Sequence, residues 1–381
     1  MRMGKVTTYC QISGCSPEVD SGLDYIIEDI LDDASEPASD YKKVREALGS
    51  LSTEDESRGT QALSIIGPIG QDNKPIREFD ESFNTLDEIL AEAEGHVREL
   101  SGCYMGELFD LGYCEGPDGG DDSGALVSYG GYFFVQTMMI AILAGATQGR
   151  VSVQRLWKLA MMKGYYDPHN HYVLPGVDYG PIHTYLDQFP WYLGDVAGRR
   201  ELLEMEKYMG TVEDIAEVLR KRGFWMWMRP DRFPIDPVIT PRPITDITEA
   251  DLIAPISHES ISKLPPEIVR SVALELNIRD IITLATLSKT LYYRVLGNQN
   301  MRDSLARAYI RENARWCLPY GETELRWWNE RKGDDALGWD YLRRCSSESH
   351  SMRNRRRIWS AAESIEAECE REEVKFGIRA P

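Results

Sequence analysis

The sequence predicts a mainly α protein, with a mostly helical N-terminal domain, a proline-rich connector, a compact three-helix unit and C-terminal helices. Three observations carry that expectation. Apolar residues recur at helical spacing through 83–100 and 151–163, six prolines crowd into 230–255, and three short amphipathic segments follow one another from 264 to 296. The boundaries these imply are an acidic, partly disordered segment over 1–60, a helical domain over 61–228, a linker over 229–256, the three-helix unit over 257–300 and a C-terminal helical region over 301–381.

In the N-terminal segment, Asp24, Glu28, Asp29, Asp32 and Asp33 alternate with Ile26, Ile27, Ile30 and Leu31, a composition suited to one short amphipathic helix or a tether. From Phe83 to Leu100 the positions Leu86, Ile89, Leu90, Val97 and Leu100 predict a helix. "CEGPDGGDDSG" at 114–124 is a loop, because its glycines and Pro117 deny either periodic pattern. "YFFVQTMMIAILAGA" at 132–146 reads as a buried helix, too short for the roughly 20 residues that cross a membrane. "VSVQRLWKLAMMK" at 151–163 follows as a second core helix, with Ser152 as its cap. A further helix is expected through "RRELLEMEKYMGTVEDIAEVLRKR", broken at Gly210. Beyond it Pro230, Pro234, Pro237, Pro241, Pro243 and Pro255 favour an extended connector and mark a site for early proteolysis.

Composition narrows the function. A formal net charge of −19 over 381 residues argues against nucleic acid, since phosphate binding needs a basic field. Seven cysteines, an odd and scattered number, form no disulfide framework and fit a reducing compartment. With no signal-peptide pattern near Met1, the chain is expected to be intracellular, in cytoplasm or nucleus, with no membrane partner.

The segment "KLPPEIVRSVALELNIRDIITLATLSKTLYYRVLG" at 263–297 holds more apolar side chains than so small a unit can hide. Pro265 and Pro266 suit the first turn of a helix, and Ile268, Val269, Val272, Ala273 and Leu276 form its stripe. Asp280 is read as the cap of a second helix, and Ser288 as a residue that caps or joins a third. The surplus from Leu264, Ile268, Ile281, Ile282, Leu284, Leu287 and Tyr292 must meet another surface.

At these residues the chain resembles the F-box family. That pattern runs Leu-Pro-x-Glu-Ile, a leucine-rich helix, Asp-Ile or Asp-Leu, then Leu-x-x-x-Ser-Lys. Leu264, Pro265, Glu267, Ile268, Leu276, Asp280, Ile281, Leu284, Ser288 and Lys289 match it in order, with Tyr292 or Tyr293 where the family often has tryptophan. "VDYGPIHTYLDQFPW", the connector and "RNRRRIWSAAESI" extend the likeness to filamentous-fungal members whose F-box is internal. The resemblance implies a non-catalytic substrate receptor of a Skp-cullin-F-box ubiquitin ligase. It would bind a Skp-family adaptor, and through it a cullin and a RING protein, by Leu264, Pro265, Glu267, Ile268, Val272, Leu276, Ile281, Leu284, Ser288 and Lys289. The flanking helices would hold an unknown protein target. An adaptor-binding scaffold without a ubiquitination target is the alternative.

Other chemistry is thinly signalled, and no pattern calls for a cofactor. His169, His171 and His183 with Asp167 and Asp178 are the only basis for a metal-dependent hydrolase, and they lack a ligand spacing. Cys10, Cys15, Cys103 and Cys114 match no zinc motif; in many relatives the resemblance implies Cys-x-x-Cys-Gly-Gly and His-x-x-Cys, and neither is present here. Asp118, Asp121 and Asp122 do not make a calcium loop. Arg343, Arg344, Arg353, Arg355, Arg356 and Arg357 form one basic cluster, expected to pair with acids such as Glu363 and Glu366. The pairs Trp225/Trp227 and Trp327/Trp328 cannot all point inward from helices, so some are candidates for a recognition surface.

Overall fold

Leu63–Pro68 is apolar at nearly every position and too short for a core helix, and it forms β1, the central strand of a three-stranded antiparallel sheet. The computed structural model describes residues 10–15, 42–43, 46–47, 63–72, 76, 85–103, 132–164, 173–180, 211–222, 229–235, 246–248, 251–252, 261–331 and 337–377. Over these residues the fold is mainly α. The acid-rich segment apart from isolated positions, the 114–124 loop, His169, His171, His183, Trp225 and Trp227 lie outside them.

The sheet corrects two expectations of helix. Helix α1 spans only Leu86–Ala93, opened by a capping box in which Thr85 and Glu88 each accept from the other's backbone N–H. After the short 3-10 turn Glu94–His96 the chain becomes β2, Val97–Cys103, pairing with β1 in the register Ile66 to Glu99 and Pro68 to Val97. Val97 and Leu100 fit helical spacing only because a period of three also places them on neighbouring turns; partners on β1 decide the matter. Likewise "FFVQ" is β3, Phe133–Gln136, on the other edge of β1, and helix α2 begins only at Thr137 and ends at Ala146. Aromatic and β-branched residues favour a pleated, half-buried strand. Tyr132, just before β3, ties it to the end of β1 by donating its hydroxyl to Pro68 O at 2.6 Å.

Helix α3, Val153–Met162, is capped by Ser152 as its sequence predicts, the Oγ accepting from Arg155 N at 3.2 Å. It buries Leu156, Trp157, Leu159 and Ala160. Helix α4, Val212–Arg222, starts at Thr211, whose Oγ1 accepts from Asp214 N. The remaining helices are α5 Pro266–Glu275, α6 Ile278–Thr286, α7 Lys289–Leu296, α8 Gln299–Glu312, α9 Gly321–Arg331, α10 Trp339–Ser347 and α11 His350–Lys375.

The chain divides into two compact units, one of residues 1–229 with 354–381 and one of 230–353. This differs from the sequence reading, which kept 301–381 together. The reason lies in side chains more than 200 positions apart. From α11, Glu366 pairs with Arg150, Glu373 with Arg155 at 2.7 Å, and Glu368 and Glu372 both with Lys163 at 2.8 Å. Beneath these pairs Ile358, Ala361, Ala362, Ile365 and Cys369 are fully buried. Arg357 closes the same unit, donating to Ser13 O at 2.6 Å and Tyr179 O at 3.0 Å.

The clamp on α11 is bounded in pH. Burial alone raises the Glu372 carboxyl, but hydrogen bonds from Lys163 and Lys375 outweigh it and leave it below its ordinary 4.5. A lowered carboxyl stabilises the fold above its unfolded value and loses that contribution as pH falls through the folded one. Lys163 is the reverse: burial lowers it, Glu368 and Glu372 outweigh that, and its raised value keeps the contribution until pH climbs past 10.5. Acid unfolding of the first unit, followed by circular dichroism below pH 5, is therefore expected to become less pH-dependent in Glu372→Gln.

In the second unit Arg302, almost fully buried, donates to Asp246 at 2.7 Å and to Leu296 O at 3.0 Å, and Ile247 N–H donates to Gly297 O. Phe233 packs edge-on to Trp328 at 5.2 Å, and Trp328 edge-on to Tyr341 at 5.4 Å. The described connector residues are thus fastened to this unit, where the prolines alone predicted an extended tether. Proline removes backbone donors but leaves intervening side chains free to pack. Among the described residues no helix is long and apolar enough to cross a membrane.

Candidate functional site

The start of α5 is set by proline. Pro265, at ψ 145°, occupies the capping position and Pro266 the first helical one, where no backbone N–H is required. The helix stops at Leu276, and Asn277, not Asp280, caps α6: its Oδ1 accepts from Asp280 N at 3.0 Å while its Nδ2 donates to Asp280 Oδ2 at 2.6 Å. Asp280 sits in the first turn, where a carboxylate opposes the positive end of the helix dipole. Of the two roles open to Ser288 it takes the cap of α7, its Oγ accepting from Leu291 N.

Two ties hold the helices in place. Arg294 on α7 donates to Leu264 O at 2.7 Å, and Arg270 on α5 donates to Ser304 Oγ on α8 at 2.6 Å. Val269, Ala273, Ile281, Leu284, Ala285, Leu291, Val295 and Leu296 fill the interior.

What remains outside is the surplus. Ile268 and Val272 on α5, with Leu264 just before its cap, are 37–48% exposed. Four-residue spacing places Ile268 and Val272 one above the other on a single face, and Leu264 stands at the head of the same helix. Ile261 in the preceding turn, Ile282 on α6 and Leu287 at the C-cap of α6 are as open or more so. Glu267, Ser271 and Glu275, all exposed, flank the α5 stripe by helical phase, so its apolar centre has a polar margin of the kind seen at protein interfaces.

The predicted site residues therefore separate. Leu264, Pro265, Glu267, Ile268, Val272 and Lys289 are exposed, and Leu276 and Ser288 are half-buried. Ile281 and Leu284 are instead buried in the unit's own core. The helical period of α6 turns them inward with Ala285 and leaves Ile282 outside. Ile261 was missed because a three-residue 3-10 turn carries no readable period. Leu284→Ala is expected to cost about 2–4 kcal/mol in urea unfolding, and Ile282→Ala no more than about 1 kcal/mol.

The other clusters organise structure. Cys10 and Cys15 are buried thiols outside any disulfide; Cys10 Sγ accepts from Ser13 N and Gln136 N, and Cys15 Sγ from Arg357 Nη2 at 3.3 Å. Burial pushes the Cys15 thiol up against the opposing pull of Arg357, and burial takes Cys369 to about 12. Among the described residues no group of three or more His, Cys, Asp or Glu is arranged to hold a metal. Asp178 builds a turn, its carboxylate accepting from Gly180 N at 2.8 Å.

The arginine cluster is not one patch. Arg355 and Arg357 are buried, and Arg343 and Arg344 pair with Asp340. Nor do the expected acids serve it: Glu366 pairs with Arg150, and Glu363 accepts from Trp359 Nε1 at 2.9 Å. Trp316, Trp328, Trp339 and Trp359 are core, whereas Trp327 is half-buried beneath the Arg331 guanidinium at 4.9 Å.

No family model, no curated protein and no solved structure matches the chain.

Proposed function

We propose that this protein is a non-catalytic substrate receptor of an SCF-type ubiquitin ligase, acting inside the cell. The α5–α7 unit binds a Skp-family adaptor, which carries the cullin and RING subunits, and the flanking helical regions bind a protein target. One observation supports this above others. The residues that match the start of the F-box pattern, Leu264, Pro265 and Ile268, lie at the head of a helix and face solvent, although they are apolar. Evolved monomeric surfaces seldom leave such a stripe uncovered without a partner. Glu267 beside the stripe and Lys289 at the start of α7, also exposed, are charges that would set orientation in such a complex.

Mixing the purified chain with a Skp-family adaptor is expected to give a one-to-one complex by gel filtration with light scattering. Failure to form one at micromolar concentrations would overturn the proposal. The scaffold reading shares this adaptor complex but not its consequence. A receptor has a target that accumulates when the gene is deleted and falls again when the wild-type chain is restored, while a chain mutated at Leu264 and Ile268 fails to restore it.

A further inference from the structure

The first unit contains a pocket that the adaptor reading leaves unused, with a cavity volume of about 190 Å³. Its floor is Ile12, Ile66, Leu143 and Leu156, each no more than 1% exposed, and Ala144 and Gly149 stand at its open mouth. We propose that this pocket binds a small, uncharged, apolar ligand about the size of one aromatic ring.

Chemistry sets the class of ligand. Among the described residues no charged side chain lines the pocket, and the one polar side chain among them, Ser152, already serves as the cap of α3. A charged guest would give up hydration and gain no partner. Water would fare little better, because a stable buried water needs two to four polar partners. An apolar guest gives up no hydrogen bond on entry and displaces poorly held solvent.

Volume sets the size. An apolar cavity of about 150 Å³ accepts benzene, whereas pockets for larger ligands begin at about 300 Å³. One ring fits, and a long acyl chain does not.

The frame keeps the space open. Between α2 and α3 the chain turns through Gln148 at φ 52° and Gly149 at φ 77°, a left-handed pair that only this local geometry requires. Gly149 N–H donates to Ala144 O at 2.8 Å, Thr147 Oγ1 donates to Leu143 O at 2.8 Å, and Val151 N–H donates back to Thr147 Oγ1 at 3.3 Å. Every one of those bonds would have to break for the turn to fall inward, so the site is formed before the ligand arrives.

The test uses the full chain with isotope-labelled methyl groups, titrated with benzene. Saturable shifts are expected at Ile12, Ile66 and Leu143, with a dissociation constant on the order of 0.1 mM. Ala144→Phe, which places a ring at the exposed mouth, should weaken binding tenfold or more while circular dichroism stays unchanged; Ile140→Phe serves the same purpose if that variant folds poorly. Benzoate should produce no shifts at these methyls. Absence of saturable shifts, shifts that survive both blocking variants, or equal binding of benzoate would each overturn the proposal.

Discussion

Alanine at both Leu264 and Ile268 is expected to lower adaptor affinity on the order of a hundredfold while the thermal midpoint moves by no more than about 2 °C. The two effects part because of where these side chains sit. Both are substantially exposed in the isolated unit, so truncation removes few internal contacts and opens no cavity. Leu264 does hold Arg294, but through its backbone carbonyl, which alanine retains. In a complex the same side chains would be central anchors, and a few such residues carry most of the energy of an interface burying about 1,600 Å². Leu284→Ala is the control with the opposite signature, since its side chain belongs to the core. Calorimetric titration against the adaptor, run beside thermal unfolding of each variant, separates the two. An unchanged affinity with a collapsed midpoint in the Leu264/Ile268 variant would mean that this face is internal and would sink the receptor reading.

Ending the chain at residue 353 is expected to unfold the first unit while leaving the second folded. Ile358, Trp359 and Ile365 would be lost from the core, each a deletion larger than a side-chain truncation that itself costs about 2–5 kcal/mol. The whole stability of a domain is about 5–15 kcal/mol. Loss of Arg357 would also leave the carbonyls of Ser13 and Tyr179 without its guanidinium. Hydrogen exchange gives the readout: amides of β1, such as Ile65 and Ile66, should lose protection, and those of α7, such as Leu291 and Val295, should keep it. Protection of β1 that survives the truncation would show that α11 is an accessory to the unit. An isolated peptide of residues 354–381 that restores protection when added back would confirm that the unit is assembled from both ends of the chain.

Both experiments turn on features whose legibility differed. The three helices α5, α6 and α7 could be read from sequence because their signals are local: prolines at the first turn, a serine three residues before the N–H it caps, and apolar positions recurring within a single helix. The one local error, Asp280 for Asn277 as the cap of α6, arose because either side chain can accept a first-turn N–H, and only backbone angles separate a capping residue from one already in the helix. The candidate face was half legible. The excess of apolar residues was countable, but which of them faced outward was not, and Ile281 and Leu284 proved to be inside.

By itself the sequence determined what hydrogen bonds within a few residues can decide: a mainly α chain, the starts of α3, α5 and α7, and a surplus of apolar surface in a unit too small to hide it. Tertiary structure alone decided the rest. Val97–Cys103 and Phe133–Gln136 became strands because β1 offered them backbone partners, a donation no local pattern records. Residues 354–375 joined the N-terminal unit because Arg150, Arg155 and Lys163 met four glutamates more than 200 positions away. Ile268 stayed in solvent while Val269 beside it was buried, because the direction of a helix face is fixed by the helix it packs against, and that neighbour is chosen in space.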